Sequence, residues 1–150
     1  MTRQRGLSSL DLIFSTSRVG AETFSWPDPF AVISVTDPGS QPVIFKQPNL
    51  IARCRLEFWD LLADPDDGQV IFDSEMARTV LNFIERGCGR ARLLLVHCEA
   101  GISRSTGLAN ALGRVLAVDV RHQNALFLNP NHLVMRLLLE EAERRKAVIS

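Results

Sequence analysis

Leu93-Leu94-Leu95-Val96-His97-Cys98-Glu99-Ala100-Gly101-Ile102-Ser103-Arg104-Ser105-Thr106 decides how this chain reads. The first four residues are an unbroken apolar run, as in a buried strand. From Ser105 onward the apolar positions Leu108, Ala111, Leu112 and Val115 follow the spacing of a helix with one buried face. A short loop that feeds a helix N-terminus aims several backbone N–H groups at one spot, and the helix dipole adds positive potential there. An anion of phosphate size suits that spot. The same field favours an ionised sulfur at Cys98, because helix N-termini and nearby cations lower a cysteine pKa from about 8.5 to between about 3.5 and 7.5.

The remaining groups complete a chemistry. Cys98 is the expected nucleophile. Arg104 offers a planar fork of donors that fits two phosphate oxygens at once. The N–H groups of Glu99, Ala100, Gly101, Ile102, Ser103 and Arg104 are expected to hold the other oxygens, in contacts that tighten as charge shifts in the transition state. Gly101 allows a sharp turn and a close backbone approach. The Ser105 hydroxyl can bond the sulfur and help it leave, and His97 is expected to face away and brace the loop. A bare Cys-x5-Arg arises by chance about one time in ten in a chain with three cysteines. Adding the His, the Gly and the second Ser takes that roughly below one in a thousand. The bland alternative is a buried strand-end cysteine followed by a surface arginine.

His97-Cys98-Glu99-Ala100-Gly101-Ile102-Ser103-Arg104-Ser105 resembles the signature loop of the cysteine-dependent protein tyrosine phosphatases, in particular the compact dual-specificity class of bacterial type. Three further segments are similar, more loosely: Ile33-Ser34-Val35-Thr36-Asp37-Pro38-Gly39, Leu56-Glu57-Phe58-Trp59-Asp60 and Asn129-Pro130-Asn131. The resemblance spans residues 10–145. It implies a two-step hydrolysis of phosphate monoesters through a cysteinyl-phosphate, with no metal and no cofactor.

Composition fits a small enzyme. The 150 residues are 46% hydrophobic and carry 17 basic against 17 acidic side chains. That length predicts one domain spanning 1–150, with residues 1–8 as a flexible tail. Balanced charge argues against a nucleic-acid or anionic-membrane binder. No apolar run reaches the ~18 residues that span a bilayer, and no signal-peptide core appears. Cys54, Cys88 and Cys98 form no paired framework, so a reducing cytoplasm is the expected location. A monomer is the expected state.

Along the chain, strands are predicted at residues 11–14, 30–35 and 51–58, with a short one at 43–45. A helical turn is predicted near 18–23, and a helix capped by Asp73 or Ser74 runs to Arg86 with Ala77, Val80, Leu81 and Ile84 on one face. Residues 118–127 are predicted as a further helix. Asn129-Pro130-Asn131 breaks the chain, and residues 132–146 form the last helix. The architecture expected is α/β, a central mixed, mostly parallel sheet with helices on both faces.

Such a phosphatase needs a general acid to protonate the leaving oxygen, carried on a second loop. Asp60, Asp64, Asp66 and Asp67 follow a strand, with Pro65 and Gly68 among them. Asp60 stands at the strand end, where position is best controlled, and matches the aspartate of the related Leu-x-Phe-x-Asp segment. It is the expected acid, with Asp64 and Asp66 as substitutes; the bland reading makes all four solvated loop charges. Cys54 can oxidise against Cys98 if their strands are neighbours, and is otherwise an inert buried thiol. Cys88 reads as a loop residue. His97, His122 and His132 lack metal-ligand spacing, and the last two read as helix-surface residues. Trp26 and Trp59 suit the site entrance or simple rim packing.

The loop holds Glu99 and no basic residue besides Arg104, whereas relatives acting on phosphoinositides carry extra cations there. A single phosphate monoester is therefore expected, on a protein or a small molecule: phosphotyrosine first, phosphoserine and phosphothreonine second, in a shallow pocket. Two rival readings remain open. One is a pseudophosphatase that only binds phosphorylated partners. The other is a sulfur- or arsenate-handling enzyme built on the same anion loop.

Overall fold

The computed structural model describes residues 8–61, 69–126 and 128–149. Its strands are β1 (Leu12–Thr16), β2 (Phe30–Thr36), β3 (Leu50–Glu57), β4 (Leu93–His97) and β5 (Asp119–His122), and its α-helices are α1 (Arg18–Thr23), α2 (Ser74–Asn82), α3 (Arg104–Leu116) and α4 (His132–Ile149). A π-helical turn, Phe83–Gly87, continues α2. The strands form one five-stranded sheet in the order β3-β2-β4-β1-β5, and every pairing is parallel. The fold is α/β, as the sequence predicts.

Parallel strands must be covered on both faces, so their residues are apolar on both sides. All of β2 and all of β4 are buried. Alternate residues sort to opposite faces. Ala31, Ile33, Val35, Leu94 and Val96 enter the larger core with Ala77, Val80, Leu108, Leu112, Val134 and Leu138 of the helices. Phe30, Val32, Leu93 and Leu95 enter a smaller core under Ala21 of α1 and Phe24. Trp26 belongs to that smaller core, stacked on Phe24 with ring centroids 6.2 Å apart.

Two predicted elements differ. Residues 118–126, the described part of that stretch, are not a helix. Val118 and Val120 alternate with Asp119 and Arg121, a period of two, and β5 pairs with β1 from Leu12↔Asp119 to Ser15↔His122. His122 consequently leaves the helix surface expected for it. Its Nδ1 bonds Ser15 Oγ of β1, and its Nε2 lies 2.9 Å from Asn110 Oδ1. Residues 43–45 form no strand either; Phe45 instead packs its ring against His97, centroids 6.1 Å apart. Asp73, not Ser74, caps α2, its carboxylate accepting from Met76 N at 2.8 Å. The tail expected over residues 1–8 lies outside the described residues except for Ser8. Among the described residues, no helix is long and apolar enough to cross a membrane.

Parallel strands all end on the same side, and ligand crevices of α/β sheets form there. That edge carries Ser17 and Arg18 after β1, Asp37 after β2, Phe58 and Asp60 after β3, and Cys98 after β4.

Candidate active site

The loop between β4 and α3 is sorted by polarity. Its carbonyl groups turn outward and are satisfied by the surroundings. Cys98 O accepts from His97 Nδ1 at 3.1 Å, Glu99 O from Arg18 N at 3.1 Å, and Ala100 O from Asn124 Nδ2 at 3.4 Å. Ile102 O accepts from Asn129 N at 3.0 Å, and Ser103 O from Asn131 N and Gly107 N, both at 2.9 Å. The N–H groups of the loop contrast with its carbonyls. Among the described residues those of Glu99, Ala100, Ile102 and Ser103 find no acceptor, and the Gly101 N–H points at Cys98 Sγ, 3.2 Å away. Unpaired amides in a loop that feeds a helix N-terminus form a candidate cradle for an anion.

Local chemistry explains the shape. Gly101 holds φ at +75°, and a Cβ there would lie 2.6 Å from Ser17 N. Only glycine meets both demands without strain. Ser103 occupies the N-cap position of α3, yet its side chain makes no cap hydrogen bond. Its hydroxyl donates instead to Asp60 Oδ1 at 2.7 Å, so the first amides of α3 stay free. Gly107 lets the 131 backbone close in on α3, where a Cβ would meet Asn131 O at 2.8 Å.

Cys98 is 2% exposed, and its sulfur bonds Ser105 Oγ at 3.2 Å. His97 is fully buried. Because Cys98 O can only accept, His97 Nδ1 carries the ring proton, and Ser34 Oγ donates to Nε2 at 2.5 Å. Burial lowers the His97 pKa and keeps this brace neutral. Arg104 is nearly buried. Its Nη1 donates to Phe58 O at 2.8 Å and to Asp37 Oδ1 at 2.7 Å. Among the described residues its Nη2 and Nε have no protein acceptor.

The expected residues Cys98, Arg104, Ser105 and Asp60 are thus brought together, and Gly101 serves the sulfur rather than the cradle. Asp60 Oδ1 accepts from Ser103 Oγ and, at 2.8 Å, from Asn131 Nδ2. Its second oxygen is left without a partner among the described residues. Asp64 and Asp66 lie outside the described residues. Trp59 stands beside Asp60, about one-third exposed. Glu99 turns its carboxylate away from the cradle to Arg18 Nη1, 3.3 Å distant.

Cys54 does not neighbour Cys98. It pairs with Ile33, which pairs with Val96, so β2 separates β3 from β4. Two strand spacings amount to about 10 Å, beyond the ~7 Å over which a disulfide closes. Cys54 lies instead near Cys88. Burial pushes the Cys54 thiol up to about 11, and burial plus Cys54 pushes Cys88 up to about 12. Among the described residues no group of three or more His, Cys, Asp or Glu side chains is placed to hold a metal ion.

Four positions at the candidate site were given no role by the sequence reading. Asp37 and Asn131 stood only within a turn and a chain break, in segments that loosely resemble the family. Arg18 and Asn124 carried no signal at all. The usable clue was positional: Asp37 and Arg18 stand at carboxyl ends of parallel strands. No protein-family model and no curated protein matches the chain, so the site stands on its own geometry.

Proposed function

We propose that this chain hydrolyses phosphate monoesters through a cysteinyl-phosphate, in the manner of the cysteine-dependent phosphatases its loop resembles. One observation carries the reading: around Cys98 the loop carbonyls are bonded to neighbouring groups, while among the described residues the amides of Glu99, Ala100, Ile102 and Ser103 and the Nη2 and Nε of Arg104 have no acceptor. Four or more N–H donors and a guanidinium fit a tetrahedral dianion, and they bind best where charge builds in the transition state.

In the first step the Cys98 thiolate attacks phosphorus as the ester P–O bond breaks. The leaving oxygen takes a proton from Asp60, whose uncommitted oxygen is the one able to carry it. In the second step water attacks the cysteinyl-phosphate, Asp60 takes the water's proton, and the P–S bond breaks. Ser105 donates to the departing sulfur. Neutral His97 holds the Cys98 carbonyl away from the anion. Substrates with one phosphate are favoured, because the loop contains no cation besides Arg104; the Glu99 charge is offset by Arg18 and contributes less to that choice. The preferred substrates are phosphotyrosine, then phosphoserine and phosphothreonine, on proteins or small molecules. The working state is a monomer in a reducing compartment, where the thiolate survives, without nucleic-acid partners.

Phosphate release from an aryl phosphate and from a panel of phosphopeptides tests the proposal. Turnover is expected in the wild type and none in Cys98→Ser. Tight phosphopeptide binding without turnover would favour a binding module instead, and release of sulfite or arsenite without phosphate release would favour sulfur or arsenate chemistry.

A further inference from the structure

Asp37 ends β2 in the sequence Asp37-Pro38-Gly39-Ser40. Proline at the second position and Gly39 at φ +81° make a type II turn, closed by Ser40 N donating to Asp37 O at 3.0 Å. β3 pins this turn from the side. Arg55 Nη2 donates to Thr36 Oγ1 at 3.0 Å and to Ser40 O at 2.8 Å, while Gly39 N donates to Glu57 Oε1 at 3.3 Å. Arg55 and Glu57 are themselves paired at 3.1 Å. The Asp37 carboxylate therefore projects from a braced platform toward Arg104.

The contact is selective for one edge of the guanidinium. Asp37 Oδ1 and Phe58 O both take Nη1, so the plane is held at one corner from two neighbouring loops. Nη2 and Nε, the pair that fits two oxygens of a phosphate, are left for the cradle. A freely rotating arginine would have to be ordered when the anion arrives, at a cost in rotamer entropy. One already clamped at Nη1 meets the transition state without that cost.

We propose that Asp37 is the positioning residue for Arg104, and that it acts on catalysis only through that arginine. The proposal rests on the phosphatase reading and deepens it. Asp37 aims the group that holds the transferring phosphoryl and does not itself give a proton to the leaving group.

A double-mutant cycle tests this, with aryl and alkyl phosphate turnover, the pH profile and inorganic phosphate binding as readouts. Asp37→Ala should lower kcat about 10- to 100-fold, equally for aryl and alkyl phosphates, with the pH profile unmoved. Asp37→Asn keeps an oxygen that accepts from Nη1 and should restore kcat to within about 5-fold. In an Arg104→Ala background, Asp37→Ala should change kcat less than about 2-fold. Three results would overturn the proposal. Undiminished coupling-free loss in the Arg104→Ala background would mean that Asp37 acts on something else. A larger loss on alkyl than on aryl phosphates, with the basic limb of the pH profile removed, would make Asp37 the acid. Lowered thermal stability with unchanged kcat would make it a turn residue. If the wild type shows no turnover, the phosphatase reading fails by itself. The same cycle read by inorganic phosphate affinity then still decides whether Asp37 and Arg104 act as one unit.

Discussion

Two regions of this molecule bury cysteine, and they place different groups beside the sulfur. Cys54 and Cys88 share the larger core with Leu56, Leu81 and Ile84, and burial pushes their thiols up to about 11 and about 12, Cys54 adding to the rise at Cys88. At the end of β4, Cys98 is as enclosed as Cys88, each 2% exposed. Its sulfur, however, meets the Gly101 amide and the Ser105 hydroxyl at the mouth of α3. Cys98 and Cys88 are alike in depth and differ in the N–H and O–H groups beside the sulfur, which is the contrast that the following experiments probe.

The sharpest way to break that contrast is chemical. Iodoacetate at about pH 6 should label Cys98 and leave Cys54 and Cys88 untouched until the chain unfolds. Inorganic phosphate should protect it. Cys98→Ser should lower turnover by about 10^4-fold or more while keeping phosphate affinity. Equal labelling of all three thiols in the folded protein would remove the distinction on which the site depends.

Arg104 is next in size. Arg104→Lys keeps the charge but loses the fork, so it loses the bond to Phe58 O or Asp37 as well as the two-point grip on phosphate. A fall of about 10^2 to 10^3 in kcat/KM is expected. A lysine variant with near wild-type kinetics would mean that the cradle works by charge alone.

Asp60→Asn should cost about 10^2-fold on alkyl phosphates and about 10-fold or less on activated aryl phosphates, whose leaving groups need less protonation. Asn131→Ala removes one of the two donors to Asp60 and should show the same asymmetry at smaller amplitude. A uniform loss across leaving groups would assign the proton to another residue. In the other region, Cys54→Ala and Cys88→Ala should lower stability by about 1–2 kcal/mol each, with kcat within about 2-fold of wild type. A large kcat effect from either would tie the core to the site.

What the sequence made legible divides along similar physical lines. The strand, loop and helix around Cys98 could be read because their signals are local: an apolar run, a glycine, a helical repeat. The buried strand at Ile33 and the last helix were legible for the same reason. β5 was misread as helix because its alternation runs over only four residues, too short to decide against a helix; pairing with β1 makes it a strand. Asp37, Arg18 and Asn131 were missed because a parallel sheet gathers strand ends from distant sequence, and nothing in Asp-Pro-Gly says where its carboxylate will point. The supposed Cys54–Cys98 partnership failed on topology, since the chain inserts β2 between their strands.

The smallest expected effect concerns the brace beneath the site. His97 is buried and neutral, and its pKa is lowered from 6.5 mainly by burial. Below about pH 6.5 the unfolded chain takes up a proton that the folded chain refuses, so stability falls as pH drops through that window and is unaffected above it. His122, lowered by burial in the same sense, adds to the slope from β5, where it bonds Ser15 and Asn110 rather than the loop. Denaturant melts between about pH 5 and about pH 8 should therefore show an acid-side loss that His97→Asn and His122→Asn each reduce. The two variants differ in one respect that bears on the cysteines. His97 Nδ1 holds the Cys98 carbonyl outward, so His97→Asn should also slow iodoacetate labelling of Cys98, whereas His122→Asn should not. If His97→Asn leaves both the slope and the labelling rate as in the wild type, the outward carbonyls are held by the rest of the ring of donors, and the reactivity of Cys98 owes nothing to its neighbour.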